Sequence, residues 1–256
     1  MDAVKACALD PLPFVLKFDE AARARGFVAE PLGQIAGVPL TAYTKHSTDT
    51  RPRIYVSSGI HGDEPAAPLA LLSMLENEVF DGRANWFLCP LLNPTGFVRA
   101  TRENETGIDL NRDYRDLVSP EIIAHVQWLS RQPPFDLSLC LHEDWETQGF
   151  YLYELNPDAR PTLAETMVSA AGLHGAIETS ELIDGRPSCA PGIIRPESDP
   201  LLRDKWPEAI YLLQNHGRLG YTLETPSTTP MLQRIAMHGA AVRAGLDRFF
   251  VSRSCP

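Results

Sequence analysis

Four polar clusters combine residue types able to bind a cation, grip an anion or move a proton. The first is Gly59-Ile60-His61-Gly62-Asp63-Glu64, with His61 and Glu64 three apart. Across a strand-to-helix turn, an imidazole nitrogen and a carboxylate oxygen at that spacing can reach one ion. Zinc accepts such a mixed set, and its catalytic sites use three protein ligands and a water. Alone, the same spacing fits a capped helix start with a surface histidine and Glu64 favouring the helix dipole. A third ligand has to come from a neighbouring strand end. Leu139-Cys140-Leu141-His142 offers one, an apolar run that breaks off at His142-Glu143-Asp144. Metal-bound imidazoles need an orienting hydrogen bond, for which Glu143 or Asp144 is available; a solitary histidine after a strand also reads as a satisfied core or loop residue.

The segment Arg99 to Asp113, RATRENETGIDLNRD, supplies cations. Arg102 and Arg112 cannot deprotonate, and a planar guanidinium holds a carboxylate through two parallel hydrogen bonds, with Asn111 adding an amide donor. Taken alone, this segment reads as an exposed loop laced with weak Arg102–Glu105 and Arg112–Asp109 pairs. The last cluster is Tyr221-Thr222-Leu223-Glu224-Thr225-Pro226. A glutamate closing an apolar strand is costly to bury unless it is paired or used. Facing a water whose pKa a metal has lowered, Glu224 would take its proton; turned to solvent, it would be a common strand-end residue. None of the four clusters decides alone. Their joint presence, each expected at a strand end, is hard to assign to chance.

The elements that carry them alternate. From about residue 53 onward, apolar β-rich runs (Ile54–Val56, Trp86–Leu92, Leu137–Leu141, Phe150–Leu155, Gly220–Glu224) exchange with helical spacings. The helices are expected after Pro65, over Pro120–Leu129 and Leu163–Ala171, near Trp206–Asn215, and over Met231–Phe250, while Asn93-Pro94-Thr95-Gly96 reads as a turn. Residues 180–205 hold four prolines, two glycines and little periodicity, and read as a long surface loop, a kind that is usually functional or mobile. Strands alternating with helices imply a parallel or mixed sheet covered on both faces, with ligands bound beyond the carboxyl ends of the strands.

Composition narrows the classes. The chain has 256 residues, 44% hydrophobic and 22% charged, with 23 basic against 33 acidic side chains for a formal net charge of −10. That usage is globular, and the acidic balance argues against a phosphate-tracking nucleic-acid binder. The N-terminus lacks a basic region leading into a sustained apolar stretch, and no segment is long and apolar enough to span a bilayer. The five cysteines (Cys7, Cys89, Cys140, Cys189, Cys255) form no CxxC pair, and Cys89 and Cys140 sit in apolar runs as reduced core thiols would. The reading is a soluble cytoplasmic protein, one catalytic domain over 1–256, with an irregular lead-in over part of 1–50. Neither GxGxxG nor GxxxxGK[ST] occurs, which removes the nucleotide-binding motifs.

HGDE at 61–64, TREN at 101–104, GIDLNRD at 107–113, LHED at 141–144 and YTLETPS at 221–227 together resemble the zinc carboxypeptidases of the A/B type, including compact bacterial members related to murein peptide amidases. The resemblance spans roughly residues 50 to 250. It implies a three-layer α/β/α sandwich around a mixed, twisted sheet and one zinc per chain. It gives the zinc ligands as His61, Glu64 and His142, and the general base as Glu224. It assigns Arg102 to the scissile carbonyl and its oxyanion, and Asn111 with Arg112 to a substrate's terminal carboxylate. The implied substrate is a peptide or acyl-amino acid with a free carboxylate, cleaved at a C-terminal or γ-glutamyl-type amide. Asp63 matches the bacterial and acyl-amino-acid branches. The substrate-capping tyrosine has no secure match, Tyr211 being a candidate, and the specificity pocket falls near Ala209. Acyl-amino-acid amidohydrolases of the succinylglutamate desuccinylase/aspartoacylase type share HGDE and DLNR; they generally add a β-rich region after the glutamate, where this chain reads as helix. A non-catalytic binding protein on the same fold is the third reading.

Overall fold

The computed structural model of the chain describes residues 9–196 and 199–254. Helix α1 (Pro11–Ala24) starts at Asp10, whose carboxylate accepts from Leu12 N, with proline in the first turn. Strands β1 (Val28–Ile35) and β2 (Val38–Lys45) form a hairpin whose two turn residues, Ala36 and Gly37, both have positive φ, as a two-residue turn matched to strand twist requires. Then come β3 (Arg53–Ser57), α2 (Ala66–Glu76), β4 (Asn85–Cys89), α3 (Pro94–Arg99), α4 (Pro120–Leu129), β5 (Leu137–Asp144) and β6 (Tyr151–Leu155). They are followed by α5 (Ala164–Ala171), the short strands β7 (Leu182–Ile183), β8 (Arg186–Pro187) and β9 (Ile193–Ile194), α6 (Glu208–Asn215), β10 (Gly220–Pro226) and α7 (Met231–Ser254).

Among the described residues, eight strands form one sheet in the order β1-β2-β4-β3-β5-β10-β6-β9. Its centre is parallel, with β4, β3, β5 and β10 aligned, while β2 and β6 run antiparallel to their inner neighbours. Central strands buried on both faces read as near-continuous apolar runs, which is why they were visible in the sequence. On one face Ile54, Val56, Leu139 and Leu223 pack under Phe18 of α1, Leu71 of α2, Met167 of α5 and Leu246 of α7. On the other, Tyr55, Phe87 and Cys140 pack under Ile122 and Trp128 of α4 and Leu212 of α6. This is the expected α/β/α sandwich on a mixed sheet. Among the described residues no helix is long and apolar enough to cross a membrane.

Three expectations change. Residues 11–45 are not an irregular lead-in: α1 and the β1–β2 hairpin complete one side of the sandwich. Pro11 opens the first turn, where its missing N–H costs nothing, and Phe14, Val15, Phe18 and Ala22 bury one face of the helix. Asn93-Pro94-Thr95-Gly96 is a helix start rather than a turn, since the Asn93 side chain accepts from Gly96 N at 2.9 Å and caps α3. Within residues 180–205, β7 and β8 make a small hairpin and β9 pairs with β6 at the sheet edge. Two-residue strands carry no periodicity to read. Cys7 and Cys255 lie outside the described residues; Cys89 and Cys140 are free and buried, and Cys189 is free and exposed.

Candidate active site

Strand parity selects the side chains that meet here. In β5, Leu137, Leu139 and Leu141 point into the first core, which sends Cys140 and His142 to the α4/α6 face; in β10, Tyr221 and Leu223 do the same for Thr222 and Glu224. The register sets Glu224 beside His142 on one side and beside Tyr151 on the other. A row Tyr151–Glu224–His142 therefore crosses the carboxyl ends of the strands.

His61 and Glu64 come from the turn between β3 and α2. This turn lies against the start of α3 so closely that a Cβ on Gly62 would sit 1.9 Å from the Gly96 carbonyl carbon. Gly62 N donates to Thr101 O at 2.9 Å. Asn93, fully buried, donates to both Ile60 O and Arg102 O at 3.1 Å. One side chain thus ties the segment bearing His61 to the segment bearing Arg102.

His61, Glu64 and His142 each offer one donor atom, all within 4.8 Å of one another, and all three residues are buried. Glu64 is central: its carboxylate oxygens lie 2.5 Å from His61 Nδ1 and 3.0 Å from His142 Nδ1. Burial alone would raise the Glu64 pKa, but the two imidazoles, by charge and hydrogen bond, hold it well below the usual carboxylate range. Two imidazole nitrogens and a carboxylate oxygen, shielded from water and converging on one point, suit a divalent metal. The orienting partner is neither Glu143 nor Asp144. Asp109 Oδ1 lies 3.3 Å from His61 Nε2, while Glu143 accepts from Ala66 N at 2.5 Å and pairs with Arg234, and Asp144 accepts from Tyr151 Oη at 2.9 Å. Glu143 and Asp144 adjoin His142 in sequence, but their bonds go to α2 and α7 and to β6.

Arg102 donates from Nε to Asp109 Oδ2 at 2.9 Å, and its Nη1 lies 3.7 Å from Glu64, so the guanidinium reaches the ligand cluster. Asp109 therefore pairs with Arg102 rather than Arg112. Arg112 is exposed, and among the described residues its side chain donates only to Asn111 O, from Nη1 at 2.8 Å. Asn111 Oδ1 accepts from Glu208 N at 2.8 Å, which leaves its amide donors free. The seven expected site residues all line one cavity of about 510 Å³. Burial, and secondarily the Glu64 and Asp144 charges, push the Glu224 carboxyl well above its ordinary value, and it has no hydrogen-bond partner among the described residues. A carboxyl so placed is ready to accept a proton.

Other residues of the site carry no sequence signal. Tyr151 and Tyr153 line the cavity, whereas Tyr211 packs against Tyr114 and His216 and does not; Ala209 does line it. Glu208 reads as a first-turn acid but is buried, accepting from Tyr55 Oη at 2.6 Å and Ser57 Oγ at 2.9 Å.

Residues 50–181, just over half of the chain, match the profile of the succinylglutamate desuccinylase/aspartoacylase catalytic domain. Carboxypeptidase SOL1 of Arabidopsis thaliana is 31% identical over 116 residues, a stretch covering 37% of this chain and 23% of that protein. A crystal structure from Shewanella denitrificans, provisionally named a metallopeptidase, superposes with a TM-score of 0.79 at 26% identity over 92% of this chain and 88% of the other. The metallo-carboxypeptidase of Burkholderia cenocepacia shares the fold, with a TM-score of 0.66 at 17% identity over 92% of this chain and 68% of that one.

Proposed function

Given that the chain belongs to the succinylglutamate desuccinylase/aspartoacylase catalytic-domain family, with the fold of the zinc carboxypeptidases, we propose that it is a zinc-dependent metallocarboxypeptidase. It hydrolyses a C-terminal or γ-glutamyl-type amide next to a free carboxylate. One observation carries this reading: three buried donors from two distant segments converge beside a glutamate without a hydrogen-bond partner among the described residues, in a cavity lined by arginine.

His61, Glu64 and His142 hold one zinc, which when bound acidifies water and polarises a carbonyl. Glu224 takes the proton of the attacking water and delivers it to the leaving nitrogen. Arg102, kept in place by Asp109, donates to the carbonyl oxygen as it becomes negative. Arg112 and the Asn111 amide grip the substrate's carboxylate and fix which bond meets Glu224. Asp109 also sets the His61 ring through Nε2.

A second reading, an N-acyl-amino-acid amidohydrolase, is favoured by the family profile over residues 50–181. It uses the same residues and differs only on the acyl side of the bond. Zinc-loaded protein assayed on peptides with a free C-terminal carboxylate, murein peptides and N-acyl amino acids separates the two. Glu224→Gln is expected to bind zinc at unchanged stoichiometry and to lose turnover by at least about 1,000-fold on the best substrate. A variant keeping most of the activity would remove Glu224 from the base role, and wild-type protein that binds zinc but cleaves nothing would leave only a binding function.

A further inference from the structure

Two polar side chains of α7 meet the backs of the strands that carry the site. The register that sets Glu224 beside His142 also sets Thr225 beside Glu143. Alternation along the strands turns these two the other way, towards α2 and α7. Arg234 and His238, one helical turn apart, receive them: Arg234 Nη1 donates to Glu143 Oε2, and His238 Nε2 lies 3.2 Å from Thr225 Oγ1. All four residues are buried. Such a polar layer costs free energy to bury, and apolar residues of similar volume are often as stable in its place. Stability alone therefore gives no reason for it.

Glu143 makes a second bond. Its other oxygen, Oε1, accepts from Ala66 N, the first N–H of α2, at 2.5 Å. This helix has no cap of its own, because Pro65 precedes it and makes no side-chain hydrogen bond. A carboxylate 77 residues further along the chain takes that role, where the helix dipole favours a negative charge. Ala66 follows Glu64 by two residues, and Glu143 directly follows His142. One carboxylate thus joins the segment that supplies Glu64 to the strand end that supplies His142. Arg234 holds that carboxylate from behind, and the two side chains are 9% and 0% exposed.

We propose that Glu143 and Arg234 are positioning residues for the metal centre: neither is a ligand, and their tie sets the separation between the Glu64 and His142 donors. This rests on the metal-binding part of the reading above and not on which bond is cleaved. Donors already in place bind a cation more tightly than donors the cation has to gather, and partners of this kind contribute about 10- to 100-fold in metal affinity.

The test strips the whole chain of metal, titrates it with zinc against a chromophoric chelator, and records the melting temperature of the stripped protein alongside. Glu143→Asp keeps the charge for Arg234 but falls one methylene short of Ala66 N, and is expected to weaken zinc binding about tenfold or more. Glu143→Leu combined with Arg234→Met fills the same space without charge. Its melting temperature should stay close to that of the wild type, while zinc binding weakens about 10- to 100-fold. Arg234→Lys should keep zinc affinity within about threefold of the wild type. Only Nη1 of Arg234 meets Glu143, and its Nε has no partner among the described residues, so a point charge suffices. Wild-type affinity in Glu143→Asp and in the double variant overturns the proposal and leaves the metal reading standing; if the double variant does not fold, Glu143→Asp decides alone. A wild-type chain that binds zinc but cleaves nothing removes the hydrolase reading and leaves this comparison intact, whereas one that binds no zinc overturns both.

Discussion

Arg102 and Arg112 carry the same charge in the same loop, yet their surroundings give them different work. Asp109 clamps Arg102 against Glu64, so it cannot follow a substrate; Arg112, exposed and bonded only to its neighbour's carbonyl, can. Arg112→Ala is expected to raise KM about 10- to 100-fold for substrates with a free carboxylate, with a smaller effect on kcat. Steady-state kinetics on matched free and amidated substrates check this, and an equal rise for the amidated series would refute the assignment. His142 and Glu224 stood out in the sequence because each is a polar residue that ends an apolar strand, and His61 and Glu64 because they are spaced three apart; all four line the one cavity. Asp109 was not placed correctly. It lies three residues before Arg112 and seven after Arg102, so linear proximity favours the wrong partner. Only the 3-10 turn at Leu110–Arg112, started by Asp109's own bond to Asn111 N at 2.9 Å, aims its carboxylate back at His61.

Helix α6 is held by a buried carboxyl group at its start. Glu208 anchors its first turn to Tyr55 and Ser57 of β3, and the backbone N–H of the same residue positions Asn111. Glu208→Gln replaces one acceptor oxygen by a donor facing these hydroxyls and is expected to cost about 1–3 kcal/mol of stability. Because Pro207, Ala209 and Ile210 line the cavity, KM should rise with it while kcat stays within a few-fold. A lower melting temperature with unchanged KM would make Glu208 structural only. The long elements were readable to within a few residues, since an apolar period over Pro120–Leu129 or Leu137–Asp144 is set by burial itself. The short ones were not. β7, β8 and β9 are two residues each, and their places depend on Asp184 meeting Tyr153 and Ile193 pairing beside β6, contacts that no local pattern encodes.

For the molecule as a whole, acid sensitivity follows from an imidazole sealed between α4 and the sheet. His125 is fully buried between Tyr55 Oη at 3.0 Å and Tyr114 Oη at 2.8 Å, and burial depresses its pKa to about 3. An exposed imidazole titrates near 6.5. Below that pH the unfolded chain takes up a proton that the folded chain refuses, so this contribution is complete above pH 6.5 and is lost as the pH falls towards 3. From pH 7 to pH 5 the loss from this one residue is about 2 kcal/mol. Urea titrations at both pH values should show a correspondingly smaller difference for His125→Gln; an identical pH dependence would count against it. The layered architecture was legible from the exchange of β-rich and helical runs. The first 45 residues were not, because prolines at a helix start resemble breakers and the Ala36-Gly37 turn lacks the usual asparagine.

The meeting of Gly62 with Gly96 has a consequence for engineering. Backbone touches backbone there, and Asn93 stitches both sides, so one jaw of the cavity is welded and has no room for a larger guest. Widening the range of accepted compounds by mutation is therefore a task for the opposite jaw, where side chains on β6, β8 and the stretch before α6 can be exchanged without disturbing the spacing of the imidazole and guanidinium groups.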